Sequence, residues 1–161
     1  MTCEPNGSAI LKRPIANLKI FIDTSALIAG ITSKTGASAA VLDLCEAEIV
    51  RMVISRQVLT EADRNFSAKL PNLTTQFRNF IRNLAPMLVD DPPPEAIEKA
   101  MAIVDRKDAS ILAAALAAKA DFLVTLDKKH FLSAQIRRKI PIKVVTPAEF
   151  LSFFERICLE E

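Results

Sequence analysis

Asp23 closes the apolar run LKIFI and is followed at once by two hydroxyls, Thr24 and Ser25. Much later in the chain Asp127 closes a second apolar run, DFLVTLD, while Asp108 precedes that run and Glu61 follows a third, RMVIS. Four carboxylates brought to one place would repel one another, by roughly 3 kcal/mol per pair at about 5 Å and an effective dielectric of about 20. A hard divalent cation such as Mg²⁺ or Mn²⁺ relieves that repulsion, because it takes oxygen ligands, keeps several waters and holds a phosphate oxygen in the same shell. Such a site needs acids and no histidine, and the chemistry it supports is phosphodiester hydrolysis through a metal-activated water. Thr24, Ser25 and Thr125 supply neutral hydroxyls that could hydrogen-bond the ligating carboxylates.

These acids meet only if the elements carrying them converge. LKIFI, RMVIS, DFLVTLD and IPIKVVT read as four short strands, bounded by polar or turn-forming residues. Between them lie helical patterns: ASAAVLDLCEAEIV after the connection GITSKTG, RQVLTEADRNFSAKL, LTTQFRNFIRNLAPML stopped near Pro86, EAIEKAMAIV opened by the prolines of 92–94, and DRKDASILAAALAAKA. LVDDPPP reads as a turn, KKHFLSAQIRRK as a short helix or loop, and PAEFLSFFERICLEE as a closing helix with Pro147 at its first position. Apolar strands alternating with amphipathic helices indicate an α/β fold, a parallel sheet flanked by helices on both faces. In such sheets the functional crevice lies beyond the carboxyl ends of the strands, where Asp23 and Asp127 stand. Residues 1–17, punctuated by Pro5, Gly7 and Pro14, read as an irregular leader, and 18–161 as a single domain.

The totals narrow the class further. The chain has 161 residues, half of them apolar, and only 3 glycines, which suits one helix-rich globular domain and excludes a disordered or fibrous chain. A net charge of +2 does not by itself announce nucleic acid. Local cations such as Lys128, Lys129, Arg137 and Arg138 are nonetheless available to contact phosphates. Cys3, Cys45 and Cys158 lie far apart with no CxxC, so they read as reduced thiols and argue against zinc. ILAAALAAKADFLVTL is broken by Lys119 and Asp121 before reaching spanning length, so the expectation is a soluble cytoplasmic chain without a membrane segment.

FIDTSALIAG, the Glu of VLTEADRNF, DASILAAALAAKADFLVTLDKKHF and the ending VVTPAEFL together resemble the PIN-domain ribonucleases, among them the VapC-type toxins of toxin–antitoxin pairs. The specific element is the combination of an early D-T-S with D-A-x-I-L-A-x-A and, shortly after, F-L-V-T-x-D; the likeness runs over about residues 18–151. The resemblance implies a Mg²⁺- or Mn²⁺-dependent endoribonuclease with Asp23, Glu61, Asp108 and Asp127 as its catalytic acids, and Asp23, Asp108 and Asp127 as metal ligands. It further implies an RNA substrate, a small antitoxin protein as partner and a homodimer. Asp105, one helical turn before Asp108, could share or replace its role; Asp108 is preferred.

Each of these residues also has a plain structural reading. Asp23 and Asp108 are suited to cap helices, Asp127 to form an Asx turn before KKHF, and Glu61 to sit as a solvated helix carboxylate. Asp105 and Asp121 read as caps, and the sole His130 as a surface or structural residue. Phe77, Phe80, Phe150, Phe153 and Phe154 fall at helical spacing, as core residues do. Three other functions compete. A phosphoacceptor signalling domain needs an acidic pair beside the first strand, and a haloacid-dehalogenase-like phosphatase needs D-x-D, whereas here DTS carries a single acid. A catalytically inactive PIN-type module that binds RNA or protein is opposed by the retention of all four acids.

Overall fold

The computed structural model describes residues 15–160. Most of the leader read over residues 1–17 lies outside the described residues; Ile15–Asn17 forms a single 3-10 turn leading into the first strand. Five strands, β1 (Lys19–Ile22), β2 (Arg51–Ser55), β3 (Met87–Val89), β4 (Phe122–Val124) and β5 (Lys143–Val145), form one sheet in the order β3-β2-β1-β4-β5. Every pairing is parallel, with Phe21 opposite both Val53 and Leu123. Eight α-helices accompany the strands among the described residues: α1 (Thr24–Thr32), α2 (Ala37–Glu46), α3 (Arg56–Lys69), α4 (Thr74–Leu84), α5 (Pro94–Met101), α6 (Arg106–Ala117), α7 (Ala134–Lys139) and α8 (Pro147–Glu160).

Burial explains why the strands are parallel and central. Ile20, Phe21 and Ile22 are buried in succession, as are Met52 to Ser55 and Phe122 to Val124, so both faces of the sheet are covered. Full burial of each such side chain contributes about 1.5–3 kcal/mol. Phe66 of α3 stacks on Phe77 of α4 at 4.8 Å between centroids, and Phe122 meets Phe150 of α8 edge-on at 5.2 Å. Phe153 carries Lys143 Nζ 4.0 Å above its ring. The helix-spaced phenylalanines are thus packing residues. No described helix is long and apolar enough to cross a membrane. Cys45 is buried and its thiol is pushed up to about 12 by that burial, while Cys158 is exposed and free.

Two elements differ from the sequence reading. Met87–Val89, expected as the end of a helix running into a turn, is an edge strand beside β2. The helix before it stops because Ala85 takes a left-handed conformation (φ 46°) and Pro86 cannot continue it. Three residues at an edge, with Leu88 exposed, carry too little pattern to reveal a strand. Thr24–Thr32, where the sequence reading draws no helix, is helical from the first hydroxyl onward. Its Gly30 faces α2 so closely that an added Cβ would lie 2.4 Å from Leu42 Cδ1, so any larger residue would force Leu42 to shift.

Candidate active site

The strand order runs outward from β1 in both directions, so the crossover from β3 to β4 reverses direction and leaves a crevice between the carboxyl ends of β1 and β4. Asp23 follows β1 and Asp127 follows β4 by three residues, so the two acids flank this switch point. The backbone N–H of Asp23 donates to Val124 O at 3.0 Å, tying the two strand ends together.

Asp23 caps α1, its Oδ1 accepting the Thr24 N–H at 2.8 Å. Its other oxygen, Oδ2, accepts from Thr125 Oγ1 at 2.8 Å. Thr125 is fully buried, accepts the Asp127 N–H at 3.0 Å and lies 3.4 Å from Ser25 Oγ, which in turn accepts the Leu126 N–H at 3.1 Å. The three hydroxyls selected from the sequence therefore do lie around Asp23, two on its own turn and one across the switch point. Burial pushes the Asp23 carboxyl up to about 6; its hydrogen bonds to Thr125 and Thr24 pull the other way, and the charges of Asp127 and Glu61 push further up.

Glu61 stands on α3 with both carboxylate oxygens engaged. Thr24 Oγ1 donates to Oε2 at 3.0 Å and Gln57 Nε2 donates to Oε1 at 3.0 Å. Gln57 in turn accepts from Ser110 Oγ on α6. Neither Gln57 nor Ser110 was selected from the sequence. The i, i+4 spacing of Gln57 and Glu61 was the available signal, since those positions are neighbours on a helix.

Asp108 lies in the first turn of α6 and is buried. Its pKa is raised, chiefly by burial; the His130 and Lys107 charges oppose this and those of Asp127 and Asp105 reinforce it. His130 Nδ1 sits 3.0 Å from Asp108 Oδ2 and 3.7 Å from Asp105 Oδ2, and its backbone N–H donates to Asp127 Oδ1 at 3.1 Å. His130 is thus part of the acidic edge rather than a surface residue. Asp105 occupies the N-cap position of α6, yet its side chain makes no capping hydrogen bond and is exposed. Asp121 accepts the Lys19 N–H at 2.9 Å, at the opposite end of β1.

The acids therefore form a chain of neighbours: Glu61 and Asp127 act on Asp23, and Asp127 acts on Asp108. Among the described residues, one group of three potential ligands, Asp105, Asp108 and His130, brings its ligand atoms within 4.8 Å of one another. The donors of this group, two carboxylates and one imidazole, suit a hard divalent cation, and neither Asp23 nor Asp127 belongs to the group.

The basic residues chosen for phosphate contact divide. Arg137 donates from both terminal nitrogens to Glu149, at 2.9 and 3.0 Å, and a guanidinium so paired has less to offer a phosphate. Lys128, Lys129 and Arg138 are exposed. A cavity of about 380 Å³ opens on the other side of the acids, with Glu61 in its wall. A larger one, about 610 Å³, lies at the amino ends of β2 and β3, among Cys45, Arg51 and Met87, away from the carboxylates.

Fold and site together define a parallel α/β domain with a carboxylate cluster at the switch point of its sheet. The chain belongs to the PIN domain family, whose model matches residues 19–129. Its fold is similar to that in the crystal structure of VapBC2 from Rickettsia felis bound to a DNA fragment from their promoter, with 18% identity, TM-score 0.58, and 80% of this chain and 98% of that one covered. It is likewise similar to DNA-bound VapBC from Salmonella typhimurium, at 20% identity and TM-score 0.57 over 81% and 98% of the two chains. FitAcB from Neisseria gonorrhoeae follows at 15% identity and TM-score 0.56, over 80% and 98%. No curated protein sequence matches the chain.

Proposed function

We propose that this protein is a Mg²⁺- or Mn²⁺-dependent endoribonuclease that hydrolyses RNA phosphodiester bonds at the edge formed by Asp23, Glu61, Asp108 and Asp127. The observation that carries this reading is the pair of buried carboxylates, Asp23 and Asp108, both with raised pKa and both pushed further up by the charge of Asp127, at the carboxyl edge of the sheet of a PIN domain. A structural cap has no need of such crowding. Asp23, Asp108 and Asp127 would hold the cation, with Asp105 and His130 beside Asp108. When bound, it supplies a water of lowered pKa and neutralises charge on the phosphate.

The chain's own residues hold this arrangement in place. Thr24 and Thr125 lock the Asp23 carboxylate from two sides, so its orientation does not depend on the cation. Thr24 and Gln57 keep Glu61 turned toward Asp23. The His130 N–H fixes Asp127, and its ring faces Asp108. Lys128, Lys129 and Arg138, all exposed, would meet phosphates along the strand.

The resemblance to VapC-type toxins, and the likeness of the fold to chains in VapBC assemblies, support a role as the toxin of a toxin–antitoxin pair, with a small antitoxin as partner. A two-fold dimer belongs to the same proposal, since Leu88 on edge strand β3 and Leu159 on α8 leave apolar surface exposed. Sedimentation at tens of micromolar is expected to find a species heavier than 17.7 kDa; the monomer alone would remove the dimer.

Metal dependence tests the central claim. Single-stranded RNA should be cut with Mg²⁺ or Mn²⁺, left intact in excess chelator, and cut poorly with Ca²⁺, whose looser coordination holds ligands without activating water as well. Undiminished cleavage in chelator overturns the metal mechanism, and RNA bound but never cut identifies an inactive binding module.

A further inference from the structure

We propose that the cavity beside Glu61 is a subsite for one unpaired nucleotide of the RNA, next to the phosphate being cut, and that it sets sequence preference at that position. The proposal rests on the endoribonuclease reading above. It places a determinant of specificity on the β2–α3 side of the crevice, away from the lysines that follow β4.

Position is the first argument. The cavity lies between residues that follow β2 (Arg56, Gln57), the segment after β3 (Asp91, Pro92) and the second turn of α6 (Ser110), all toward the carboxyl edge of the sheet. Glu61 is shared between its wall and the acidic cluster, so a phosphate held at the acids puts the adjoining nucleotide at the cavity mouth. Its volume, about 380 Å³, is near the lower end of the roughly 300–1,000 Å³ typical of ligand pockets. That is room for a single nucleotide.

The chemistry of the lining is the second argument. A polyanion drawn to a cluster of acids needs cations beside it, and Arg56 and Arg64 stand in this cavity. Arg64 is exposed and makes no ion pair among the described residues. Arg56 pairs with Asp90 at 3.1 Å, but both side chains are largely exposed, and such pairs are worth only about 0–1 kcal/mol, so the guanidinium is easily exchanged onto a phosphate. Thr60 offers a hydroxyl to the edge of a base, and Gln57 and Ser110, bonded to each other, keep one amide N–H and the hydroxyl lone pairs for it. Ile97 supplies an apolar surface for its face. Hydrogen bonds to base edges combined with stacking on side-chain planes, arginine included, are how unpaired RNA is read.

Gln57 joins the subsite to the acids. Its amide both lines the cavity and donates to Glu61, and its oxygen is held by Ser110. A nucleotide seated there therefore touches the group that positions Glu61.

Two variants test the proposal in the full-length chain: Ile97→Trp, which fills the cavity, and Arg64→Glu, an exposed change that reverses one charge and guards against misfolding of the first. The probe is a short labelled single-stranded RNA of mixed sequence, with binding measured in chelator and cleavage in Mn²⁺. We expect both variants to weaken binding and raise KM about tenfold, to keep kcat within about threefold, and to change the preferred nucleotide on one flank of the cut. If wild type cleaves and both variants match it in KM and cut-site preference, the subsite is wrong and the nuclease reading stands. If wild type cleaves nothing but both variants lose RNA binding, the nuclease reading falls and the cavity is an RNA-binding site without a role in cleavage preference. An unmodified chain that neither binds nor cuts the RNA overturns both.

Discussion

Asp23→Asn is expected to fold normally and to lose RNA cleavage by several orders of magnitude. The substitution keeps the shape of the side chain and its role as helix cap, because the remaining carbonyl oxygen can still accept the Thr24 N–H. The other oxygen becomes an NH₂, and Thr125 can adapt to it. Its hydroxyl now donates to Asp23 Oδ2; reversed, it would accept from the amide and donate to Ser25 Oγ, 3.4 Å away, while still accepting the Asp127 N–H. What disappears is one negative charge at the point where the cation must sit, and with it both water activation and neutralisation of the phosphate. Cleavage assays beside thermal melts on the same preparations separate the two contributions. Near-normal, metal-dependent cleavage by the variant would reduce Asp23 to a helix cap.

The second large effect is a pH dependence of stability in the metal-free protein. Burial raises the Asp23 carboxyl from 3.8 to about 6, so the folded state binds a proton more tightly than the unfolded chain. That contribution to stability is fully present below pH 3.8 and is lost as the pH rises through 6. A shift of this size corresponds to about 2 kcal/mol lost between about pH 4 and pH 7.5. The raised pKa of Asp108 acts in the same direction. Asp63 and Glu149, held below the usual carboxylate range by Arg78 and Arg137, act in the opposite direction, stabilising above their unfolded pKa values and losing that contribution in acid. Comparison with Asp23→Asn cancels these opposing groups. In chelator, urea unfolding should give wild type and variant similar stability near pH 4, and the variant the advantage by about 2 kcal/mol near pH 7.5. Added Mn²⁺ should then stabilise wild type and do little for the variant, by mass action on the folded state. A constant difference across this pH range would show that Asp23 is not a buried, crowded carboxylate.

Much of the architecture was legible without coordinates, for reasons that are local. The largely apolar runs before Asp23 and Asp127 read as short buried strands, and their alternation with amphipathic helices indicated a parallel sheet, as the structure has it. Pro147 at the first position of α8 and the Ala-rich run of α6 specify those helices through backbone preference alone. Helix α1 and strand β3 escaped because one carries an interior glycine that serves tertiary contact with Leu42, and the other is three edge residues with little pattern.

The sequence by itself determined which acids exist and that two of them end strands; tertiary structure alone decided who their neighbours are. Sheet order sets β1 beside β4, and only that adjacency lets Thr125 reach Asp23. The loop after β4 folds back to lay His130 against Asp108, a contact that a lone histidine in a sequence cannot announce. Arg137, one of a run of cations in the sequence, is bound to Glu149 of α8. Gln57 and Ser110, far apart in the chain, meet beside Glu61. Local propensity acts over a few residues, whereas these contacts arise only when whole elements pack, and packing brings together groups whose separation along the chain carries no record of it.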